Sequence, residues 1–149
     1  MRIKSHWHQR YLDLAKYISQ WSKDPSKQIG AVVIGSAGQV LTQGYNGFPR
    51  GIEDRESDYA DREIKYTKVV HAEMNAIYNA SRTGVSLEGS TMYVYGLPVC
   101  NECAKGIIQV GIKHIVMKKT YDNSESRWKD SCTLAEQLLT EADVTITYV

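Results

Sequence analysis

The sequence has few cysteines and no long apolar run. Only three of its 149 residues are cysteines, and two of them form the Cys-x-x-Cys pair Cys100 and Cys103. So small a number is typical of a reducing compartment rather than of a disulfide framework. No apolar run approaches the roughly 20 residues that span a bilayer, and residues 1–8 are too polar for a secretory signal. We therefore expect a cytoplasmic protein with no membrane segment.

Neither sign of charge dominates the chain. Lysine and arginine together number 18, aspartate and glutamate 17, and the formal net charge is +1. A protein that binds polynucleotides tightly usually carries a marked basic surface. We therefore expect a small-molecule substrate and no nucleic acid. The length suits a single domain over residues 1–149, with one core around one active site.

The pattern of apolar residues predicts alternating helices and strands. Apolar side chains spaced by three and four predict helices over residues 7–21, 71–81, 102–110 and 132–142. Short β-prone runs predict strands over residues 29–35, 39–45, 91–95, 112–118 and 144–148. Residues 46–68 lack a period, and we expect a long functional loop there. The order predicts an α/β fold with one sheet of about five strands and helices on its faces.

Two segments together contain the donors of a hydrolytic zinc site. His71 and Glu73 belong to His-x-Glu, and Cys100 and Cys103 lie downstream in Pro-Val-Cys-x-x-Cys. One imidazole and two thiolates leave a fourth position for water, whereas structural zinc usually has four protein ligands. Zinc can lower the pKa of bound water to about 7, and Glu73 would carry the proton. This combination is the signature of zinc nucleobase deaminases.

The spacing of these residues also predicts how they meet. Cysteines three apart at a helix start share one face, and the helix N-terminus favours their thiolate forms. Residues two apart in a regular helix point in different directions. We therefore expect His71 at the entrance of its helix and Glu73 in the first turn, facing the bound water.

Four stretches resemble deoxycytidylate deaminases of the cytidine-deaminase-like superfamily: residues 22–25, 44–51, 70–77 and 100–105. The resemblance implies a three-layer α/β/α sandwich with one mixed sheet. It implies zinc-dependent deamination of deoxycytidine monophosphate (dCMP) to dUMP, which feeds thymidylate synthesis. It also implies activation by dCTP, inhibition by dTTP, Mg²⁺ bound with the regulatory triphosphate, and a homohexamer.

The resemblance also implies roles for individual residues. Asn46 matches a position that contacts the substrate sugar, and Ala72 and Tyr121 match positions near the substrate. The regulatory nucleotide is expected at seven consecutive residues, namely Gly44, Tyr45, Asn46, Gly47, Phe48, Pro49 and Arg50. A monophosphate needs a cation or backbone amides, and Ser22 and Lys23 could supply them. Val99 departs from the family pattern, because the family normally has proline directly before the first zinc cysteine.

Other interpretations of the sequence remain open. The same zinc chemistry serves deaminases of cytidine, of tRNA adenosine and of single-stranded DNA, and a non-catalytic nucleotide-binding protein is a further alternative. The Cys-x-x-Cys could be a redox pair or half of a structural zinc site. Surface or structural roles are open for His6, His8, Lys23, Asn46, Arg50 and His114. Cys132 has no assigned role.

Overall fold

The computed structural model describes residues 4–118 and 126–149. The helices in this part of the chain are α1 (Ser5–Ser19), α2 (Glu56–Ala60), α3 (Arg62–Lys68), α4 (Ala72–Thr83), α5 (Asn101–Gln109) and α6 (Ser126–Glu141). The strands are β1 (Gly30–Ile34), β2 (Val40–Tyr45), β3 (Thr91–Tyr95), β4 (His114–Met117) and β5 (Thr145–Tyr148). All nine predicted elements occur in the predicted order. None of the described helices is both long and apolar enough to cross a membrane.

The prediction of a loop over residues 46–68 is wrong in its second half, which contains α2 and α3. Tyr59 is buried in α2, and α3 buries no residue. Helices this short and exposed have no apolar stripe, so periodicity could not predict them. The local signal was Asp61, whose carboxylate accepts hydrogen bonds from the backbone N–H groups of Glu63 and Ile64 and caps α3.

The five strands form one mixed sheet in the order β2-β1-β3-β4-β5. Strand β1 is antiparallel to β2 and to β3, whereas β3, β4 and β5 run parallel. Helix α1 packs on one face against β1 and β3. Helices α4 and α5 cover the other face, and α6 packs on α5 and β5. The predicted three-layer α/β/α sandwich with a mixed five-stranded sheet is confirmed.

Side chains of β1 contribute to the cores on both faces of the sheet. Ala31 and Val33 belong to the larger core beneath α4 and α5, while Val32 and Ile34 pack with Leu12 of α1. All five residues of the strand are buried. A strand covered on both faces has a nearly continuous apolar sequence rather than an alternating one. The sequence of β1, Gly-Ala-Val-Val-Ile, is such a run.

Strand β2 lies at one edge of the sheet, and two asparagines of α4 bond to it. Nδ2 of Asn75 donates to the carbonyl oxygen of Tyr45, and Nδ2 of Asn79 donates to that of Gln43, each at 2.7 Å. Asn75 and Asn79 are four residues apart, so they share one face of the helix. Tyr45 and Gln43 are two apart, so their carbonyl groups point to the same side of the strand. Helix α4 is thereby fixed in register along β2.

Gly44 allows β2 and α4 to approach closely. A Cβ atom at Gly44 would lie 2.4 Å from the backbone nitrogen of Ala76 and 2.6 Å from the carbonyl oxygen of Ala72. We therefore expect Gly44→Ala to lower the free energy of unfolding by about 1–3 kcal/mol, as overpacking usually does. Gly47→Ala is the matched control, because its Cβ would meet only the Tyr59 hydroxyl, at 3.7 Å. Urea unfolding of both variants measures the difference; equal stabilities would contradict the packing role.

Two histidines meet beneath α1. Nδ1 of His8 lies 2.8 Å from the hydroxyl oxygen of the buried Tyr93, and the rings of His8 and His114 are 5.9 Å apart. Nε2 of His114 lies 2.7 Å from Oγ1 of Thr147. Burial lowers the pKa of His8, and burial together with the nearby His8 lowers the pKa of His114. Their surroundings therefore favour the neutral form of both imidazoles, as expected of core-edge and structural residues.

The lowered pKa values of His8 and His114 predict a loss of stability in acid. The unfolded chain binds protons near pH 6.5, the ordinary value, whereas the folded chain binds them only at lower pH. The contribution of these residues is therefore complete above pH 6.5 and is lost as the pH falls toward the folded pKa values. Urea unfolding at about pH 7.5 and about pH 5.5 should show a smaller pH dependence for His8→Gln than for the wild type. His6→Gln, at an exposed position, should behave as the wild type; an unchanged slope for His8→Gln would contradict the explanation.

Candidate zinc centre

The candidate zinc ligands lie at the entrances of two neighbouring helices. His71 is the N-cap residue of α4, with extended backbone angles of φ −68° and ψ 152°, and Cys100 is the N-cap residue of α5. Cys103 follows in the first turn of α5, where its backbone N–H donates to Sγ of Cys100. Helices α4 and α5 pack against each other, so both entrances meet near the end of β3. The expected place of His71, at the helix entrance, is the one observed.

The three side chains bring their donor atoms together. Nδ1 of His71 lies 3.3 Å from Sγ of Cys103 and 3.4 Å from Sγ of Cys100. The three donor atoms all lie within 4.8 Å of one another. Zinc with Zn–N of about 2.0–2.1 Å and Zn–S of about 2.3 Å in tetrahedral geometry separates such donors by about 3.5 Å. The donor set fits zinc, and residues 4–118 and 126–149 contain no other group of three such side chains.

The two sulfur atoms form a coupled acid pair. The hydrogen bond from the Cys103 thiol lowers the pKa of Cys100 to about 4, and the neighbouring His71 adds to the effect. The same contact with Cys100, together with burial, raises the pKa of Cys103. Cys100 is therefore favoured as the thiolate and Cys103 as the thiol, which keeps its proton. A divalent cation held by both sulfurs would displace that proton, because metal ligation requires thiolates.

Glu73 lies in the first turn of α4, beside the three ligands. Its side chain is almost fully buried, at 4% exposure, and contacts the thiol of Cys103. Burial raises the pKa of Glu73 to about 7, although the nearby His71 opposes the rise. A carboxyl group with such a pKa can both accept and donate a proton near neutral pH. The arrangement can therefore support proton transfer next to a metal-activated water.

Asn46 connects the end of β2 to the segment that precedes β1. Its side chain is buried, with Oδ1 accepting from the backbone N–H of Ile29 at 2.9 Å and Nδ2 donating to the carbonyl of Lys27 at 2.9 Å. The hydroxyl of Ser22 donates to the carbonyl oxygen of Asn46 at 2.8 Å. The structure thus gives both residues structural hydrogen bonds. Asp24, which the sequence interpretation did not select, joins the same group through Nδ2 of Asn46 at 3.4 Å.

The other residues expected near the substrate have varied surroundings. Ala72 is completely buried in the core under Gly44. The side chain of Lys23 is 68% exposed and forms an ion pair with Asp54 at 2.9 Å. Tyr121 lies outside the described residues. Ala72 and Lys23 therefore lie at opposite extremes of exposure.

Several residues of the segment expected to bind a regulatory nucleotide have partners within the chain. The ring of Phe48 stacks on Tyr59 with centroids 4.0 Å apart and planes 3° apart. Arg50 donates to Oδ1 of Asn79 at 2.6 Å, and Tyr45 contacts Trp21 edge to face. Pro49 and Arg50 are exposed. Tyr45 is exposed as well, at 37%, so three of the seven residues present accessible surface.

The unusual Val99 is turned inward. It is 2% exposed and belongs to the larger core. Gly96, at the start of the same connection, has φ of +119°, and a Cβ atom there would lie 2.7 Å from the carbonyl oxygen of Gln28. The connection from β3 to Cys100 therefore runs directly against the segment before β1, and Val99 adds to the core while His71, Cys100 and Cys103 lie together.

A mixed sheet with one histidine and two cysteines at two adjacent helix entrances, and a buried acid beside them, defines the class of zinc-dependent nucleobase deaminases. The family model of the cytidine and deoxycytidylate deaminase zinc-binding region matches residues 5–119. The chain belongs to this family of cytidine and deoxycytidylate deaminases. The motifs identified in the sequence lie within the matched region.

Relatives and solved structures agree with this membership. The chain is 37% identical over 145 residues to an uncharacterized deaminase of the luxG 3′ region of Aliivibrio fischeri, covering 97% of this chain and 95% of that one. It is 40% identical over 145 residues to the human deoxycytidylate deaminase, covering 93% and 77% of the two chains. The dCMP deaminase of cyanophage S-TIM5, solved with dCMP and dUMP, superposes with a TM-score of 0.79 at 24% identity, over 99% and 100% of the chains. This last likeness shows a shared fold.

Proposed function

We propose that the protein catalyses the hydrolytic deamination of dCMP to dUMP and ammonia, within one zinc-dependent domain, and supplies dUMP for thymidylate synthesis. The proposal depends chiefly on the arrangement of His71, Cys100 and Cys103 around one point, with Glu73 buried beside them. The 40% identity to the human deoxycytidylate deaminase supports dCMP as the substrate.

The chain's own residues account for the proton transfers. Zinc, when bound, supplies a Lewis acid that activates water at neutral pH. Glu73 takes a proton from the attacking water and delivers it to a ring nitrogen, while the oxygen adds to the carbon that bears the amino group. Glu73 then carries the remaining proton of the added hydroxyl group to the amino group. The C–N bond breaks, ammonia leaves and the carbonyl group of uracil forms.

We assign the substrate contacts to the residues that the sequence and the family resemblance select. Asn46 would contact the sugar, Ala72 would face the base, and Ser22 and Lys23 would hold the phosphate. The Lys23 ammonium already holds an anionic partner, Asp54, on the protein surface. A phosphate could replace that partner, because both groups accept charge-assisted hydrogen bonds. Tyr121 is assigned to the same site by the family resemblance.

The test compares substrates that differ in one group. Ammonia release or the ultraviolet change is followed with dCMP, deoxycytidine, CMP and dCTP, and we expect dCMP to have the highest kcat/KM. Lys23→Ala should raise KM for dCMP about tenfold and leave the KM for deoxycytidine unchanged. Turnover of deoxycytidine that equals or exceeds that of dCMP would refute phosphate recognition. The absence of turnover with all four compounds would refute the proposed reaction.

We also propose regulation through the segment from Gly44 to Arg50, with dCTP as activator, dTTP as inhibitor and Mg²⁺ bound to the triphosphate. The exposed Arg50 beside the stacked Phe48 and Tyr59 supports this assignment, because a guanidinium group suits phosphate oxygens. Substrate curves should shift in opposite directions with the two triphosphates, and Arg50→Ala should weaken both shifts. Curves that neither triphosphate moves would refute the regulation.

A homohexamer is part of the same proposal. Tyr17, Trp21 and Tyr45 form a row of edge-to-face contacts and remain 59%, 48% and 37% exposed. Exposed neighbouring aromatic rings are common at subunit surfaces. Sedimentation velocity should show a particle of six chains of 16.8 kDa each. A single species of one chain at micromolar concentration would refute the assembly.

A further inference from the structure

We propose that Asp24 and Lys65 are positioning residues, a buried ion pair that sets the orientation of the Asn46 side chain toward the substrate sugar. This inference rests on the proposed function for its substrate. The two residues are 41 positions apart in the sequence, one before β1 and the other in α3. Neither belongs to the zinc motif, and the pair acts through Asn46.

Among the ion pairs of the described residues, the pair of Asp24 and Lys65 is the least exposed to solvent. Nζ of Lys65 lies 2.8 Å from Oδ2 of Asp24, and the two side chains are 12% and 2% exposed. A buried carboxylate is stable only if its remaining oxygen lone pairs are also satisfied. Asp24 meets this condition, because the backbone N–H groups of Ser26 and Lys27 donate to Oδ1 at 2.8 and 3.4 Å. Lys65 also donates to the Ser26 hydroxyl at 3.3 Å.

The charge of Asp24 adds to the two backbone contacts that set which way the Asn46 amide points. An ionised carboxylate only accepts hydrogen bonds, so it faces Nδ2 of Asn46, at 3.4 Å, and not Oδ1. The carbonyl of Lys27 accepts from the same Nδ2 at 2.9 Å. Oδ1 therefore points to the other side, where the N–H of Ile29 occupies one of its two lone pairs. The second lone pair is the acceptor that a sugar hydroxyl would use.

The same group of residues lies between the two segments that carry the zinc ligands. Gly47 pairs with Val70 through two backbone hydrogen bonds of 3.1 and 2.8 Å, and Val70 directly precedes His71. On the other side, Gln28 approaches Gly96 so closely that no Cβ fits there. A shift of Asn46 would therefore occur beside the metal centre, where small displacements of a substrate contact have large effects on reaction rates.

The first experiment removes the cation and keeps its length. Lys65→Met should raise KM for dCMP about tenfold and change kcat less than about threefold, because the charged support of the Asn46 amide through Asp24 is weakened while the zinc ligands and Glu73 stay in place. Lys65→Arg should restore most of the wild-type KM. Lys68→Met is the matched control, since Lys68 is in the same helix but contacts Asp58 and the ring of Phe48 rather than Asp24. An unchanged KM for Lys65→Met, with wild-type turnover of dCMP, would overturn the inference.

A double-mutant cycle with Asn46→Ala separates positioning from general stability. If Lys65 acts through Asn46, Lys65→Met should have almost no further effect on KM once Asn46 is alanine. An equal rise of KM in both backgrounds would overturn the inference. All assays are run well below the melting temperature of each variant, and Lys65→Gln replaces Lys65→Met if the latter does not fold. Failure of the wild type to deaminate dCMP would refute the proposed function, which is a different result from an unaltered KM in the variants.

Discussion

Glu73→Gln is expected to lower kcat for dCMP by about 10²- to 10⁴-fold, the usual contribution of general acid–base catalysis. Glutamine keeps the shape of the side chain at this buried position but cannot carry the proton from water to the base. The zinc content should stay near one ion per chain, because His71, Cys100 and Cys103 are unchanged. Stopped assays of ammonia release, together with metal analysis of the same preparation, measure both quantities.

Glu102→Gln is the control for this prediction. Glu102 also lies in the first turn of a zinc-bearing helix, next to Cys103, but its side chain is 73% exposed and pairs with Lys105. Its replacement should leave kcat within about a factor of two, as surface changes usually do. Loss of zinc together with activity in Glu73→Gln would make Glu73 a ligand rather than a proton carrier. Retention of activity would remove it from the mechanism.

Cys103→Ala is expected to have the second large effect, the loss of the metal itself. Two donors are left at the site, and a three-ligand centre with one open position depends on each of its ligands. The loss of a residue that only supports a metal ligand usually costs about 10- to 100-fold in activity. The loss of the ligand Cys103 itself should cost more. Zinc content and turnover, measured after dialysis against a mild chelator, should fall together.

Cys132→Ala provides a matched control for the ligand variant. Cys132 is also a buried cysteine, in α6, but it does not belong to the group of donors around His71. Its replacement should cost about 1 kcal/mol of stability or less and leave zinc content unchanged. Loss of zinc in Cys132→Ala, or retention of zinc in Cys103→Ala, would show that the ligand set is assigned wrongly.

Much of the fold was predictable from the sequence because its elements are strongly amphipathic or uniformly apolar. The helix and the strand that the apolar patterns predict near the N-terminus occur in the structure as α1 and β1. The position of His71 at the entrance of its helix followed from helix geometry. The metal donors were predictable for a related reason. Ligand types and short spacings are local properties, so His71, Glu73, Cys100 and Cys103 can be selected before any fold is known.

Contacts between distant parts of the chain were not predictable in this way. The ion pair between Asp24 and Lys65 joins residues from an irregular segment and a short exposed helix, and neither has a periodic signal. Gly44 was assigned to nucleotide binding from the family resemblance, yet its surroundings show a packing requirement that depends on the position of α4. Sequence patterns identify chemical groups, whereas the partners of those groups depend on the tertiary fold.

The bonds from Asn75 and Asn79 to β2 also bear on aggregation. An edge strand with free carbonyl groups is a template on which another chain can add a strand. At this edge two of the outward carbonyl groups already have donors from the protein's own helix. Any strand of a second molecule would have to displace both amides before it could pair. At these two positions the β2 edge is therefore protected against the addition of a strand from another molecule.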